Sequence, residues 1–196
     1  MSNGEIQSNL VLDAKGLACP MPIVRTKKAI ETIAAGEVIE VQATDKGSKA
    51  DIQGWARTTG HQYLGTIEEG DVLKHYIRKA SGDEVKREMK FAATTTSEEL
   101  QQKLENGASV EVTVLDVREP AEYAFERIAG AISIPLGELE ERMQELNPVA
   151  NIYVICRTGN RSDLACQLLA EKGFAYVRNV IPGMSGWKGA TESSKQ

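Results

Sequence analysis

The chain has 196 residues, 41% of them hydrophobic and 26% charged, which is typical of a soluble protein with one large or two small globular domains. Its net charge of −5 comes entirely from the residues after position 96, so neither half has the strong positive charge of a nucleic-acid binder. No apolar run approaches the ~20 residues of a membrane-spanning helix, and the first five residues lack the regions of a signal peptide. We therefore expect a cytoplasmic protein with no membrane association and no stable nucleic-acid binding.

Three cysteines, Cys19, Cys156 and Cys166, lie far apart in the sequence. This odd number argues against a disulfide framework and for a reducing compartment. No two of them have the CxxC spacing of a structural zinc site, so the sequence predicts neither a metal nor a cofactor. Cys166 is predicted to be a small core residue of a helix, and His61 and His75 are predicted to lie on strand surfaces.

The first eighty residues alternate strand and helix patterns, in the order strand 10–13, helix after residue 20, strand 37–43, helix after residue 48, and strands 62–67 and 72–77. Ser48 is predicted to be the N-cap of the second helix, whose buried face carries Ile52, Trp55 and Ala56. The βαβαββ order predicts a two-layer sandwich with both helices on one face of a mixed sheet.

Cys19 stands at the start of the first helix, close to the positive end of its dipole. Pro20 and Pro22 remove two backbone donors there, which favours a site that presents a sulfur rather than one that encloses a substrate. Asp45, after the second strand, is either a neighbour of Cys19 or a solvated turn residue.

The Cys-Pro-Met-Pro sequence at 19–22, preceded by Leu-Asp-Ala-Lys-Gly-Leu at 12–17, resembles the TusA/SirA-like sulfur-carrier family over about residues 9–80. The resemblance implies that the cysteine of this motif, Cys19, carries a persulfide that is handed between enzymes.

Residues 81–96 are charged and nearly free of apolar side chains, which predicts an exposed connector between a domain at 9–80 and a second domain at 97–192. If flexible, such a connector has a root-mean-square span of roughly 20–24 Å, and fully extended it reaches about 50 Å. Either length lets the cysteine of one domain visit that of the other.

The second half alternates strands and helices, in the order strand 110–114 leading to Asp116, helix 121–128, strand 132–134, helix 136–146, strand 152–155, helix to residue 172, and strand 176–180. This alternation predicts an α/β domain whose parallel sheet is covered by helices on both faces. Ligands bind beyond the carboxyl ends of the strands in such domains. Asp116 and Arg118 lie at one of these ends and are predicted to form a structural ion pair.

Cys156 follows the buried strand directly and precedes a short polar loop and a helix. Backbone N–H groups and the helix dipole converge at such a junction, and Arg157 and Arg161 add two positive charges. These features favour the thiolate, which is the nucleophilic form, provided that the sulfur is open to solvent. We predict that Cys156 is catalytic and that the loop binds substrate through Arg157, Thr158, Gly159, Asn160, Arg161 and Ser162.

The loop sequence at 156–162, Cys-Arg-Thr-Gly-Asn-Arg-Ser, resembles the active-site loop of single-domain rhodaneses, the thiosulfate and persulfide sulfurtransferases. Three further segments match the signatures of that family in the right order, at 116–123, 130–136 and 183–187. The family often carries histidine where this chain has Arg127, a position outside the loop, so we expect little effect on the chemistry.

The two resemblances together imply a sulfur relay. Cys156 would take sulfane sulfur from thiosulfate or another donor, pass it to Cys19, and Cys19 would deliver it to a thiol or persulfide acceptor protein. Related folds process phosphate or arsenate with five residues between the cysteine and an arginine, whereas four separate Cys156 from Arg161. A third reading is a persulfide carrier or docking module without turnover, against which the intact cysteine and both loop arginines weigh.

Overall fold

The computed structural model describes residues 6–80, 89–107 and 112–194. The chain separates into two compact units, one of residues 1–85 with 194–196 and the other of residues 86–193. The predictions for residues 1–5, for residues 81–88 of the connector and for the strand start at 110–111 lie outside the described residues.

The first unit contains four strands and two helices in the predicted βαβαββ order: β1 Leu10–Asp13, α1 Met21–Glu31, β2 Val38–Ala43, α2 Ser48–Thr59, β3 Gln62–Glu69 and β4 Val72–Arg78. The sheet has the order β1-β2-β4-β3. β1 and β2 are parallel, and the other two pairs are antiparallel, so the mixed sheet is confirmed.

The core of this unit lies between the sheet and its two helices. Ile39, Val41 and Ala43 of β2 are completely buried, which confirms the face predicted from their alternation. Ile30 of α1 and Ile52 of α2 pack into the same cluster. Both helices therefore cover one face of the sheet, and each buried isoleucine contributes about 1.5–3 kcal/mol to that packing.

Two predictions for the first unit are wrong. Ser48 is the first residue of α2 rather than its N-cap, and its hydroxyl donates to the carbonyl oxygen of Asp45 at 2.6 Å. His75 is completely buried, because it pairs with Val41 and its side chain faces the core. His75 Nε2 lies 2.9 Å from Ser48 Oγ, and burial lowers the histidine pKa to about 4.

The second unit contains a five-stranded sheet with helices on both sides: β5 Thr94–Thr96, α3 Ser97–Glu105, β6 Val112–Asp116, α4 Pro120–Phe125, β7 Arg127–Ile128, β8 Ile132–Ser133, α5 Leu139–Arg142, β9 Asn151–Ile155, α6 Asn160–Glu171, β10 Val177–Ile181 and β11 Thr191–Glu192. The sheet order is β5-β10-β9-β6-β8, and all four pairings are parallel. β7 and β11 form a separate antiparallel pair.

The central strand β9 contributes to a core on each face of the sheet. Ile152 and Val154 pack with Leu169 of α6, whereas Tyr153 and Ile155 pack with Leu100 of α3. This alternation buries both faces of the strand, as expected for a parallel sheet between two helical layers. The predicted α/β architecture of the second half is confirmed.

Three segments of the second unit differ from their predictions. The helix predicted at 121–128 ends at Phe125, because the backbone is extended at Glu126 and Arg127–Ile128 pairs with β11 as β7. Thr94–Thr96 was assigned to the connector, but it forms β5 and pairs with Asn179–Ile181 at the edge of the sheet. The helix predicted at 136–146 is a 3-10 turn at Leu136–Glu138, the short α5, and a second 3-10 turn at Met143–Glu145. Among the described helices none is long and apolar enough to cross a membrane.

Candidate functional site

Cys156 directly follows the carboxyl end of β9, the middle strand of the sheet, and α6 begins four residues later. The N–H of Gly159 donates to Cys156 Sγ at 3.1 Å, which turns the loop back over the sulfur. Gly159 has φ = +102°, and a Cβ there would lie 3.3 Å from Met89 Sδ. A glycine is therefore required for the loop conformation that directs this donor at the sulfur.

The Cys156 side chain is almost covered, since only 1% of its surface is exposed. Arg157 and Thr158, the next two residues, are exposed above it. The solvent-open sulfur expected from the sequence is thus absent in this conformation.

Ser162 and Asn179 form a buried polar pair beside the sulfur. Ser162 Oγ lies 2.6 Å from Asn179 Oδ1 and 3.3 Å from Cys156 Sγ, and it is also 3.1 Å from the carbonyl oxygen of Gly159. Asn179 Nδ2 donates to that same carbonyl at 3.1 Å, so its oxygen faces Ser162. Rotation of one hydroxyl can move the serine proton from Asn179 to an anionic sulfur.

Asn179 was missed by the sequence analysis. The available signal was an amide at the middle of strand β10, between apolar residues and one exposed arginine, where a buried amide must find partners. Its distance from the loop along the chain concealed the contact.

The short turn Gly183–Gly186 forms hydrogen bonds with the backbone of the Cys156 loop. The N–H of Met184 donates to the carbonyl of Cys156 at 2.8 Å, and the N–H of Ser185 donates to that of Arg157 at 2.9 Å. Gly183 has φ = +72°, and a Cβ there would collide with the carbonyl oxygen of Cys156. The segment at 183–187 therefore fixes the backbone of the cysteine loop.

The structure places the two loop arginines differently. Arg161 is only 8% exposed, and its guanidinium makes a bidentate pair with Glu122 at 2.7 and 2.9 Å. Its charge is therefore balanced by a carboxylate instead of being directed at an open anion site. Arg157 is exposed and has no carboxylate partner within the described part of the chain. Of the two loop arginines, Arg157 is thus the one whose charge no carboxylate of the described residues balances.

The remaining residues singled out in this unit are structural. Asp116 and Arg118 form a buried ion pair at 2.6 Å, as predicted. Cys166 is completely buried in the core, where burial raises its pKa well above the usual range of a thiol. Arg127 lies over the ring of Tyr123, 5.0 Å from its centre, and does not belong to the loop.

The last connector residues are held against the start of α6. The N–H groups of Lys90 and Phe91 donate to the Asp163 carboxylate at 3.1 and 2.9 Å. Met89 Sδ lies 3.9 Å from Asn179 Nδ2 and would lie 3.3 Å from a Cβ at Gly159. The chain therefore enters the second unit beside the Cys156 loop.

Cys19 in the first unit is exposed, and α1 begins two residues later after Pro20. Its thiol donates to Asp51 Oδ2 at 2.9 Å. This hydrogen bond, with partial desolvation and the negative charges of Asp51 and Asp45, raises the pKa of Cys19. The acidic neighbours thus outweigh the positive end of α1. Asp45 contributes only charge, and the sequence analysis missed Asp51, which makes the contact.

The described residues contain no group of three or more histidine, cysteine, aspartate or glutamate side chains placed to hold a metal ion.

Two family models match the chain. The model described as "Sulfurtransferase TusA" matches residues 10–79, and the model described as "Rhodanese-like domain" matches residues 96–190. The two matches contain Cys19 and Cys156, respectively.

The chain is also similar to three proteins that are named as sulfur carriers or sulfurtransferases. "Putative sulfur carrier protein YrkF" of Bacillus subtilis (strain 168) is 48% identical over 187 residues, 95% of this chain and 100% of that protein. "Sulfur carrier protein TusA" of Allochromatium vinosum is 42% identical over 69 residues, 35% of this chain and 91% of that protein. "Putative sulfurtransferase YtwF" of B. subtilis is 40% identical over 93 residues, 47% of this chain and 87% of that protein. The chain belongs to the family in which a TusA sulfur-carrier domain and a C-terminal rhodanese-like domain share one polypeptide.

Proposed function

We propose that the protein is a sulfurtransferase in which Cys156 accepts sulfane sulfur from thiosulfate or another donor. The observation that carries the proposal is the convergence of the Gly159 N–H and the Ser162 hydroxyl on Cys156 Sγ, at 3.1 and 3.3 Å. Hydrogen-bond donors directed at a sulfur stabilise its thiolate, which is the attacking species.

In the proposed reaction the Cys156 thiolate attacks the outer sulfur of thiosulfate. A new S–S bond forms on Cys156, the S–S bond of thiosulfate breaks, and its electron pair leaves with sulfite. The total charge does not change in this step, and no external oxidant is required. The exposed guanidinium of Arg157 would bind the dianion and stabilise the charge that develops on sulfite.

The burial of Cys156 makes loop movement a part of the mechanism. Arg157 and Thr158 are the exposed residues above the sulfur, so a donor that binds Arg157 would do so at the point where the loop must open. We infer that donor binding and access to Cys156 are coupled.

Onward transfer to Cys19 is the second part of the proposal. Cys19 attacks the outer sulfur of the Cys156 persulfide, and Cys156 leaves as a thiolate that takes up the Cys19 proton. Two observations support this step: Cys19 is exposed, and the connector enters the second unit beside the Cys156 loop at Met89. The nine peptide links from Ala80 to Met89 span at most about 30 Å, which would keep the carrier at a high effective concentration.

A persulfide on the exposed Cys19 would then be delivered to a thiol or persulfide acceptor protein. The three cysteines are free thiols, which suits a reducing compartment, and we propose that the protein acts in the cytoplasm.

The phosphate or arsenate alternative is disfavoured by the pairing of Arg161. In such an enzyme the loop arginine would bind the oxyanion, whereas here Glu122 occupies the Arg161 guanidinium at 2.7 and 2.9 Å. A carrier module without turnover would not need the donors that converge on Cys156.

Parallel assays test the proposal. The purified chain should transfer sulfur from thiosulfate to cyanide, which yields thiocyanate, and should not hydrolyse a phosphate ester. Phosphate-ester hydrolysis without thiocyanate formation would contradict the proposal. Absence of both activities, with no sulfur taken up by Cys156 from thiosulfate or a small-molecule persulfide, would favour the module without turnover.

A further inference from the structure

We propose that Asp51 controls the reactivity of Cys19: its carboxylate holds the carrier cysteine as a thiol at rest and destabilises the anionic persulfide when the carrier is loaded. The inference deepens the proposed function, because it rests on Cys19 as the residue that carries sulfur. With Asp51 in this role, Cys19 would react slowly as a resting thiol and would release its sulfur readily once it is loaded.

Cys19 and Asp51 are in direct contact. Cys19 Sγ lies 2.9 Å from Asp51 Oδ2, a distance at which the thiol hydrogen is directed at the carboxylate. Deprotonation of Cys19 would break that bond and leave two negative charges side by side. Asp45 is a second acidic group whose charge acts in the same direction, and the start of α1 is the opposing positive feature. Together the two carboxylates raise the pKa of Cys19.

The start of α2, which carries Asp51, is anchored to the rest of the first unit. Asp51 lies in the first turn of α2, one turn after Ser48. The Ser48 hydroxyl contacts both the carbonyl of Asp45 and the buried ring of His75, at 2.6 and 2.9 Å. His75 has a pKa of about 4, so this anchor does not change its charge between about pH 5 and pH 9. The start of α2, from which the Asp51 carboxylate reaches Cys19, therefore keeps the same anchoring contacts over the working range of a thiol reaction.

Loading with sulfur changes the interaction between Cys19 and Asp51. In the loading step the sulfur of Cys19 bonds to the outer sulfur of a persulfide donor, and the donor S–S bond breaks. The donor leaves as a thiolate and takes up the Cys19 proton, so atoms and charge balance. The product is an anionic persulfide on Cys19 that can no longer donate a hydrogen bond to Asp51. Repulsion between this anion and the carboxylate favours transfer of the outer sulfur to the next acceptor.

The test is the pH dependence of alkylation at Cys19, measured by peptide mass spectrometry after iodoacetamide treatment. The full chain carries Cys156→Ser so that no sulfur transfer competes. Replacement of the carboxylate by Asp51→Asn should move the midpoint of the profile to lower pH and speed alkylation at about pH 7.5 by about three- to tenfold. A profile that is unchanged, or a slower reaction, would overturn the inference.

Two controls separate charge from contact. Asp45→Asn removes the same charge without removing a hydrogen bond to Cys19, and should give a smaller shift in the same direction. Glu31→Gln removes a charge at the opposite end of α1 from Cys19 and should give none. Asp51→Ser provides a second uncharged replacement if Asp51→Asn does not fold, and it should shift the profile in the same way.

The alkylation assay uses no sulfur donor, so its result does not depend on the proposed relay. If Asp51→Asn shifts the alkylation profile as expected but the wild-type protein transfers no sulfur, the proposed function alone is overturned. If the wild-type protein transfers sulfur but Asp51→Asn does not shift the profile, the role of Asp51 alone is overturned.

Discussion

Cys156 and Cys19 both precede a helix, yet their surroundings have opposite polarity. Cys156 is buried and receives a hydrogen bond from the N–H of Gly159, whereas Cys19 is exposed and its thiol donates to the carboxylate of Asp51. The comparison teaches that the start of a helix does not by itself set the chemistry of a cysteine. The atoms in direct contact with the sulfur decide whether the thiolate or the thiol is favoured.

The difference suggests a division of labour. A sulfur surrounded by donors suits attack on a sulfane donor, and a sulfur beside a carboxylate suits a carrier that is loaded by one protein and discharged to another. The following substitutions test each side of this comparison, starting with the largest expected effect.

The largest effect should come from Cys156→Ala. Loss of the attacking sulfur should lower thiosulfate:cyanide transfer by about 10³-fold or more, because the covalent intermediate with the donor forms on this sulfur. Cys166→Ala is the matched control, since Cys166 lies in the core of the same unit and takes no part in the proposed reaction. Comparable losses in both variants would show that the assay reports on folding instead of on the nucleophile.

Arg161→Ala tests whether this arginine acts through its ion pair. Removal of the guanidinium beside the buried Glu122 should destabilise the second unit by about 3–5 kcal/mol. Urea unfolding measures the effect. Lys172→Ala removes one partner of an exposed ion pair with Glu140 and should leave the midpoint almost unchanged. If Arg161→Ala keeps the wild-type unfolding midpoint but binds thiosulfate more weakly, Arg161 binds the anion, as the sequence predicts.

The pH dependence of stability tests the anchor behind Asp51. Burial lowers the pKa of His75 from 6.5 to about 4, so only the unfolded chain takes up this proton between these values. The free energy of unfolding of the first unit should therefore be largest above pH 6.5. It should fall by about 3 kcal/mol as the pH drops towards 4. Urea unfolding followed by Trp55 fluorescence, in a chain carrying Trp187→Phe, measures this change.

His75→Gln is the control for this measurement, because glutamine does not titrate. If the variant keeps the same loss of stability between pH 6.5 and 4, another group is responsible for it.

The smallest effect should come from Ser162→Ala. The variant removes one hydroxyl near the Cys156 sulfur and should lower kcat/KM for thiosulfate by about tenfold. Ser185→Ala removes a hydroxyl that donates to the carbonyl of Pro182 instead, and it should leave kcat/KM near the wild-type value. Equal activity in both variants would mean that Ser162 supports the loop without acting on the sulfur.

Local patterns in the sequence were sufficient for much of the fold. The alternation of Ile39, Val41 and Ala43 predicts their common buried face. The run Ile152–Ile155 predicts the strand that leads to Cys156. Such patterns depend only on residues that are close together in the sequence. The strands that they predict are therefore found in the folded structure.

The parts that could not be predicted depend on contacts between distant residues. Asp51 is 32 positions from Cys19, and Glu122 is 39 positions from Arg161. Neither distance follows from local periodicity, so the hydrogen bond at Cys19 and the balanced charge of Arg161 required the structure. Thr94–Thr96 was likewise assigned to the connector. A three-residue edge strand has no periodic pattern of its own in the sequence and is defined by its pairing with β10.

The most direct test of the central claim is intact-mass spectrometry after brief thiosulfate treatment, with wild type, Cys156→Ser and Cys19→Ser compared. We expect an addition of about 32 Da, one sulfur atom, on Cys156 first, and then on Cys19 only when Cys156 is present. Equal labelling of Cys19 in the Cys156→Ser variant would contradict the internal relay, and the absence of any addition on Cys156 would contradict its role as the nucleophile.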